Sequence, residues 1–156
     1  MKILLVEDDD AHACIVETAL RASNDIAVDL VHERDGADAV ERLQRCADGT
    51  DPGFDLILLD LKLPRLDGHE VLRRIKAEPK LRQTPVVVLT TSVSTTDLRR
   101  AYGSHVNSYL VKPVEFDEFR RMIEDLKTYW GRWNQRPAGV DTSPPLPTPW
   151  PPPRQA

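Results

Sequence analysis

The sequence predicts an α/β protein built as a doubly wound, five-stranded parallel sheet with five helices. Three observations lead there: apolar runs of strand length recur along the chain, each is continuous rather than alternating, and helical patterns separate them. A continuous apolar run needs cover on both faces, which a parallel sheet wrapped by helices supplies. Repeated strand–helix alternation, joined by right-handed crossovers, builds such a sheet.

The first strand is read at Ile3 to Val6 and is followed by the acidic stretch Glu7-Asp8-Asp9-Asp10. Carboxylates suit a helix N-terminus, so a first helix is expected over roughly Asp10 to Ala22, with Ile15, Ala19 and Leu20 near one face. A weaker run, Ile26 to Val31, marks the second strand, and a helix of about Ala37 to Ala47 carries Val40 and Leu43 inward. The polar segment Cys46 to Phe54 reads as a plain surface connector before the third strand, Leu56 to Leu59. The third helix starts near Gly68 and uses Val71, Leu72 and Ile75 until Pro79, which cannot continue the hydrogen-bond ladder.

Val86 to Leu89 forms the fourth strand, and hydroxyls with a carboxylate over Ser94 to Asp97 cap the helix after it. Tyr109 to Val111 is the fifth strand. Beyond Pro113, the residues Phe116, Phe119, Ile123, Leu126, Trp130 and Trp133 recur at three- and four-residue steps, an apolar stripe on a fifth helix. Residues 1–133 thus form one domain. From 134 to 156 the composition turns to proline, glycine, serine and threonine, which predicts an extended, polyproline-like tail; Pro144 to Pro147 matches a P-x-x-P ligand by pattern.

Hydrophobic residues make up 40% of the 156-residue chain and charged residues 29%, the balance of a soluble globular domain. A net charge of −4 provides no basic footprint for a phosphate backbone, so nucleic-acid binding is not expected. No run is long and apolar enough to cross a bilayer, and the first residues do not resemble a signal peptide, which predicts a cytoplasmic protein without membrane contact. Cys14 and Cys46 are expected as unbridged, buried or half-buried residues in a reducing compartment. His12, His32, His69 and His105 lack metal-ligand spacing and read as surface or satisfied histidines.

The chemistry sits at the strand ends. Glu7 and Asp8 follow the first strand, Asp60 the third, Thr90 ends the fourth and Lys112 follows the fifth. Open α/β sheets place their working sites outside the carboxyl ends of the strands, so residues far apart in sequence converge there. Carboxylates gathered in one pocket repel unless a cation neutralises them, and an all-oxygen donor set suits Mg²⁺. A carboxylate in such a place can act as nucleophile toward phosphorus, with an ammonium and a hydroxyl absorbing charge on the equatorial oxygens.

The motifs LLVEDD (Leu4 to Asp9), LILLDLKLPRLDG (Leu56 to Gly68), VVVLTTS (Val86 to Ser92) and SYLVKP (Ser108 to Pro113) resemble those of response-regulator receiver domains over about Met1 to Trp130. The resemblance implies a flavodoxin-like fold with strand order 2-1-3-4-5. It implies that Asp60 accepts a phosphoryl group from a sensor histidine kinase, and that Mg²⁺ is bound by Asp8, Asp60 and the Lys62 backbone carbonyl, with Glu7 acting through a water. It further implies that Lys112 pairs with the phosphoryl group, that Thr90 and Tyr109 switch, that the Lys112–Pro113 bond is cis, and that Pro64 and Gly68 shape the loop beside Asp60. The segment His105-Val106-Asn107-Ser108 lacks the glycines often found there, and Lys62 and Ser92 occupy positions where the family varies.

The connector before the third strand, the LTTS stretch and the ending Tyr129-Trp130-Gly131-Arg132-Trp133-Asn134 look similar to single-domain regulators of bacterial phytochrome kinases. Output is then expected through protein contact, including a homodimer across the fourth helix, fifth strand and fifth helix, where Trp130 and Trp133 offer anchors. A Mg²⁺-dependent phosphatase of small molecules is a competing class; Lys62 stands where its general-acid aspartate would be, and there is no inserted cap domain. A scaffold that has lost its chemistry competes too, but all five site residues are present.

Overall fold

The computed structural model describes residues 1–22 and 25–136. The elements run β1 (Lys2–Val6), α1 (Asp10–Arg21), β2 (Asp29–Glu33), α2 (Gly36–Ala47), β3 (Leu56–Leu59), α3 (Gly68–Ala77), β4 (Val86–Thr90), α4 (Thr95–Gly103), β5 (Ser108–Val111) and α5 (Phe116–Thr128), with a π-helical turn at Tyr129–Trp133. All strand pairs are parallel and the order is β2-β1-β3-β4-β5, the flavodoxin-like arrangement. The tail from 137 onward, with its P-x-x-P pattern, lies outside the described residues.

The continuous apolar runs supply two cores at once, because successive strand residues point to opposite faces. On one face Leu4, Val6, Ile57, Leu59, Val86 and Val88 pack with Leu43 of α2, Val71, Leu72 and Ile75 of α3 and Ala101 of α4. On the other, Ile3, Leu5, Leu56, Leu58, Val87 and Leu89 meet Val16 and Leu20 of α1 and Phe119, Ile123 and Leu126 of α5. The edge strands β2 and β5 are only half-buried. The expected face of α1 leaves Cys14 outside it, so Cys14 is exposed rather than buried; neither cysteine is bridged.

Three further expectations need correction. The second strand lies later than Ile26 to Val31, since the Asp29 amide donates to the Met1 carbonyl and pairing runs from Lys2 with Asp29 to Val6 with Glu33. Ile26 instead packs against the C-terminal turn, where a Cβ added to Gly131 would lie 2.9 Å from it. The apolar stripe of α5 is shorter than its spacing suggests: Phe119, Ile123 and Leu126 are buried and Trp130 is packed beside them, while Phe116 and Trp133 are exposed. Phe116 begins the helix above the core, and past Thr128 the ladder widens, with the Asn134 amide reaching the Tyr129 carbonyl, so the 3.6-residue phase is lost before Trp133. Finally, the Lys112–Pro113 bond is trans, as no cis peptide occurs among the described residues. Trans is the intrinsic preference even before proline.

The loops at the carboxyl ends are fixed by backbone contact. Gly68 starts α3 so close to β3 that an added Cβ would lie 2.0 Å from the Asp60 carbonyl oxygen, and its amide donates to the Leu61 carbonyl. Within that loop the Leu66 amide donates to Pro64, and Arg65, at φ 58°, pairs with Asp35 and Asp38 at the start of α2.

The end of α4 answers the missing glycines before β5. The amides of His105 and Val106 donate back to Tyr102 and Ala101, while Val106 packs in the same core as Ala101, a Schellman ending with His105 in the left-handed position at φ 61°.

Three substitutions test this account of the loops. Gly68→Ala should lower unfolding free energy by about 1–3 kcal/mol or more, because backbone is what the new methyl meets. Gly53→Ala, with open space around it, should stay within about 0.5 kcal/mol in the same urea titration. His105→Gly should raise stability by about 1 kcal/mol, since glycine occupies the left-handed region without the Cβ penalty.

Candidate functional site

The sheet ladder extends one residue past the strands and so aims the site. The Glu7 amide donates to Glu33, the Asp60 amide to Val6 and the Lys112 amide to Thr90, each at 2.8–3.0 Å. Glu7, Asp60, Thr90 and Lys112 are thereby fixed by neighbouring backbone and are all buried, whereas Asp8 is exposed.

Carboxylate oxygens of Glu7, Asp8 and Asp60 lie within 4.8 Å of one another. The Lys112 ammonium, its side chain 1% exposed, donates to Glu7 Oε2 at 2.5 Å and to Asp60 Oδ2 at 2.9 Å. Burial pushes the Glu7 carboxyl above its ordinary range, and the Lys112 hydrogen bond opposes that only in part. The other Asp60 oxygen, Oδ1, accepts the Leu61 amide at 2.6 Å and the Lys62 amide at 3.3 Å. This leaves three carboxylates facing one ammonium, with Asp8 on the open side. The donors are all oxygen, and the deficit of positive charge beside them fits a small hard dication.

Thr90 is fully buried and its hydroxyl accepts the Ser92 amide at 3.3 Å. Beyond it a chain of contacts fixes the loop between β4 and α4. Tyr109 donates its hydroxyl to the Ser92 carbonyl at 3.0 Å, the Ser92 hydroxyl donates to Asp97 at 2.6 Å, and His69 Nε2 lies 3.1 Å from the other Asp97 oxygen. The Ser92 hydroxyl first, then His69, holds the Asp97 carboxyl below its usual range. Burial pushes the Tyr109 phenol up.

All the acidic, lysine and threonine candidates therefore gather at one end of the sheet, with Tyr109 a layer behind Thr90. Lys62 contributes its amide to Asp60, and Pro113 follows Lys112 by a trans bond. Sequence reading missed two histidines. His69 is buried against Asp97, and His12 stands at the site with Nδ1 3.2 Å from the Lys112 ammonium. The signal for both was positional: each lies in the first turn of a helix that leaves a strand end bearing a site carboxylate. Individual spacing rules for metal ligands could not register that.

Known proteins share this plan. Residues 3–124 match the model of the response regulator receiver domain. The chain is 47% identical over 135 residues to the probable methanogenesis regulatory protein FilR2 of Methanothrix harundinacea, covering 86% of each. It is 42% identical over 129 residues to the response regulator Rcp1 of Synechocystis sp., covering 82% of this chain and 87% of that one. The crystal structure of Mn²⁺-bound Rcp1 superposes with a TM-score of 0.82 at 40% identity, over 88% of this chain and 99% of the other. That of the phosphorylated cyanobacterial phytochrome response regulator RcpA superposes with a TM-score of 0.82 at 36% identity, over 88% and 98%. With the family pattern spanning most of its length and the site assembled at the strand ends, the chain belongs to the response regulator receiver domains of two-component signalling.

Proposed function

We propose that this receiver accepts a phosphoryl group on Asp60 from a sensor histidine kinase, in a reaction that needs Mg²⁺, and signals through protein contact. The observation that carries the reading is the buried Lys112 ammonium between Glu7 and Asp60, beside a triad of carboxylates. Asp8, Asp60 and the Lys62 carbonyl would hold the metal, with Glu7 acting through a water. When bound, Mg²⁺ supplies positive charge to the phosphoryl oxygens. In the transfer an Asp60 carboxylate oxygen bonds to phosphorus as the P–N bond of the donor phosphohistidine breaks, and the imidazole leaves with that electron pair.

Lys112 then faces the phosphoryl group, and the Thr90 hydroxyl exchanges its loop contact for a phosphoryl oxygen. Because Tyr109 is bonded to the same loop through Ser92, its side chain changes rotamer and carries the change outward. Exposed Leu98, Tyr102, Val111 and Phe116 on α4, β5 and α5 support that face as a homodimer contact. The phytochrome context of RcpA supports a phytochrome kinase as the upstream partner. Among the described residues no helix is long and apolar enough to cross a membrane, and we place the protein in the cytoplasm. It is a switch, with self-directed phosphotransfer and autodephosphorylation as its only chemistry. Residues 1–133 act as the receiver.

Incubation with acetyl phosphate and Mg²⁺, followed by intact-mass spectrometry, should add one phosphoryl group to the wild type and none to Asp60→Asn or to metal-chelated protein. A wild type that stays unmodified while folded would defeat the reading. Mg²⁺ at about 100 times its Kd should stabilise the wild type by about 2.7 kcal/mol in thermal melts, and Asp8→Asn should lose most of that gain. Equal metal-induced shifts in the two proteins would remove Asp8 from the ligand set.

A further inference from the structure

We propose that His12 is a positioning residue for Lys112: its ring nitrogen takes the third N–H of the buried ammonium and so fixes the lysine for phosphoryl transfer. The inference rests on Asp60 being the phosphoryl acceptor. An ammonium has three donors and no acceptor. Two of its hydrogens go to Glu7 and Asp60, and His12 Nδ1, at 3.2 Å, is the partner left for the third. Since the ammonium can only donate, Nδ1 accepts and the ring carries its proton on Nε2.

The ring is built into place. Asp9 caps α1 by accepting the His12 amide at 3.0 Å, which sets the first turn of the helix beside Glu7. The imidazole meets Phe119 of α5 edge-on, with centroids 6.0 Å apart and planes at 77°. With its side chain 30% exposed against 1% for Lys112, His12 stands on the solvent side of the ammonium.

The choice of a neutral acceptor has a chemical reason. A further carboxylate bonded to Lys112 would add repulsion to a cluster that already holds three, whereas a ring nitrogen satisfies the N–H without charge. Hydrogen bonds to ionised acceptors are roughly twice as strong as neutral ones. Of the three contacts, the one to His12 is also the longest, so the carboxylates carry most of the attraction while His12 fixes the direction of the ammonium. The contact keeps the ammonium from drifting toward the rim as the phosphoryl group approaches Asp60.

The test compares wild type, His12→Leu and His12→Asn, each checked for native melting. Leucine fills the space beside Phe119 without an acceptor, while the asparagine side-chain oxygen can stand near the place of Nδ1. The rate of Asp60 modification by acetyl phosphate with Mg²⁺ should fall about three- to tenfold in His12→Leu, the factor given by one hydrogen bond of ordinary net strength. His12→Asn should recover most of that loss. An unchanged rate in His12→Leu, or equal losses in both variants, overturns the proposal. A wild type that gains no phosphoryl group overturns the Asp60 reading itself, a result distinct from either.

A second readout needs neither metal nor phosphate. Nitrogen-15 NMR of the neutral His12 ring should report Nε2–H as the dominant tautomer in the wild type and lose that preference in Lys112→Met. A tautomer balance insensitive to Lys112→Met overturns the contact.

Discussion

The Lys112 ammonium, held between Glu7 and Asp60 with almost no exposure to water, is the constraint around which this receiver is arranged. Buried like charges are tolerated only when paired and hydrogen-bonded. A lysine distant in sequence from both carboxylates can reach them only if the strand order sets β5 near β1 and β3 at their carboxyl ends. The parallel sheet does this by backbone pairing alone, extending each ladder by one residue so that the charged side chains leave from fixed points. The two apolar faces then hold the sheet against helices on both sides.

Much of this was legible because fold and chemistry shared the same residues. Continuous apolar runs identified the buried strands, and the polar residue closing each run identified the site. What escaped detection depended on packing between elements. Ile26 looked like strand because it is apolar, but its partner is Gly131 more than a hundred residues later. Trp133 kept helical spacing, yet a widened turn changed its direction. The trans Lys112–Pro113 bond shows that a motif can carry a family expectation the backbone does not take up. His12 and His69 read as ordinary surface or satisfied residues because their partners, Lys112 and Phe119 for the one and Asp97 for the other, lie on elements distant in sequence.

The loop system around the site is tied together more tightly than its polar sequence suggests. Gly68 brings the start of α3 against the Asp60 carbonyl, and the next residue, His69, reaches Asp97. Asp97 holds the Ser92 hydroxyl, whose own carbonyl accepts from Tyr109. Lys62, two residues after Asp60, and Ser92, two after Thr90, are therefore built into the hydrogen-bonding of the site. Lys62 does so through its backbone amide, and Ser92 through backbone and hydroxyl together.

The division of β1 and β3 between two cores ties the geometry of the site to folding fidelity. Neighbouring residues on these strands belong to opposite faces, so a slip of one position would exchange the contents of both cores and turn Asp60 away from Lys112. Selection for a stable sheet therefore also proofreads the direction of the Asp60 carboxylate. A chain that folds with the wrong alignment loses its packing along with its chemistry, and few stable but silent misfolds remain to compete with the working switch.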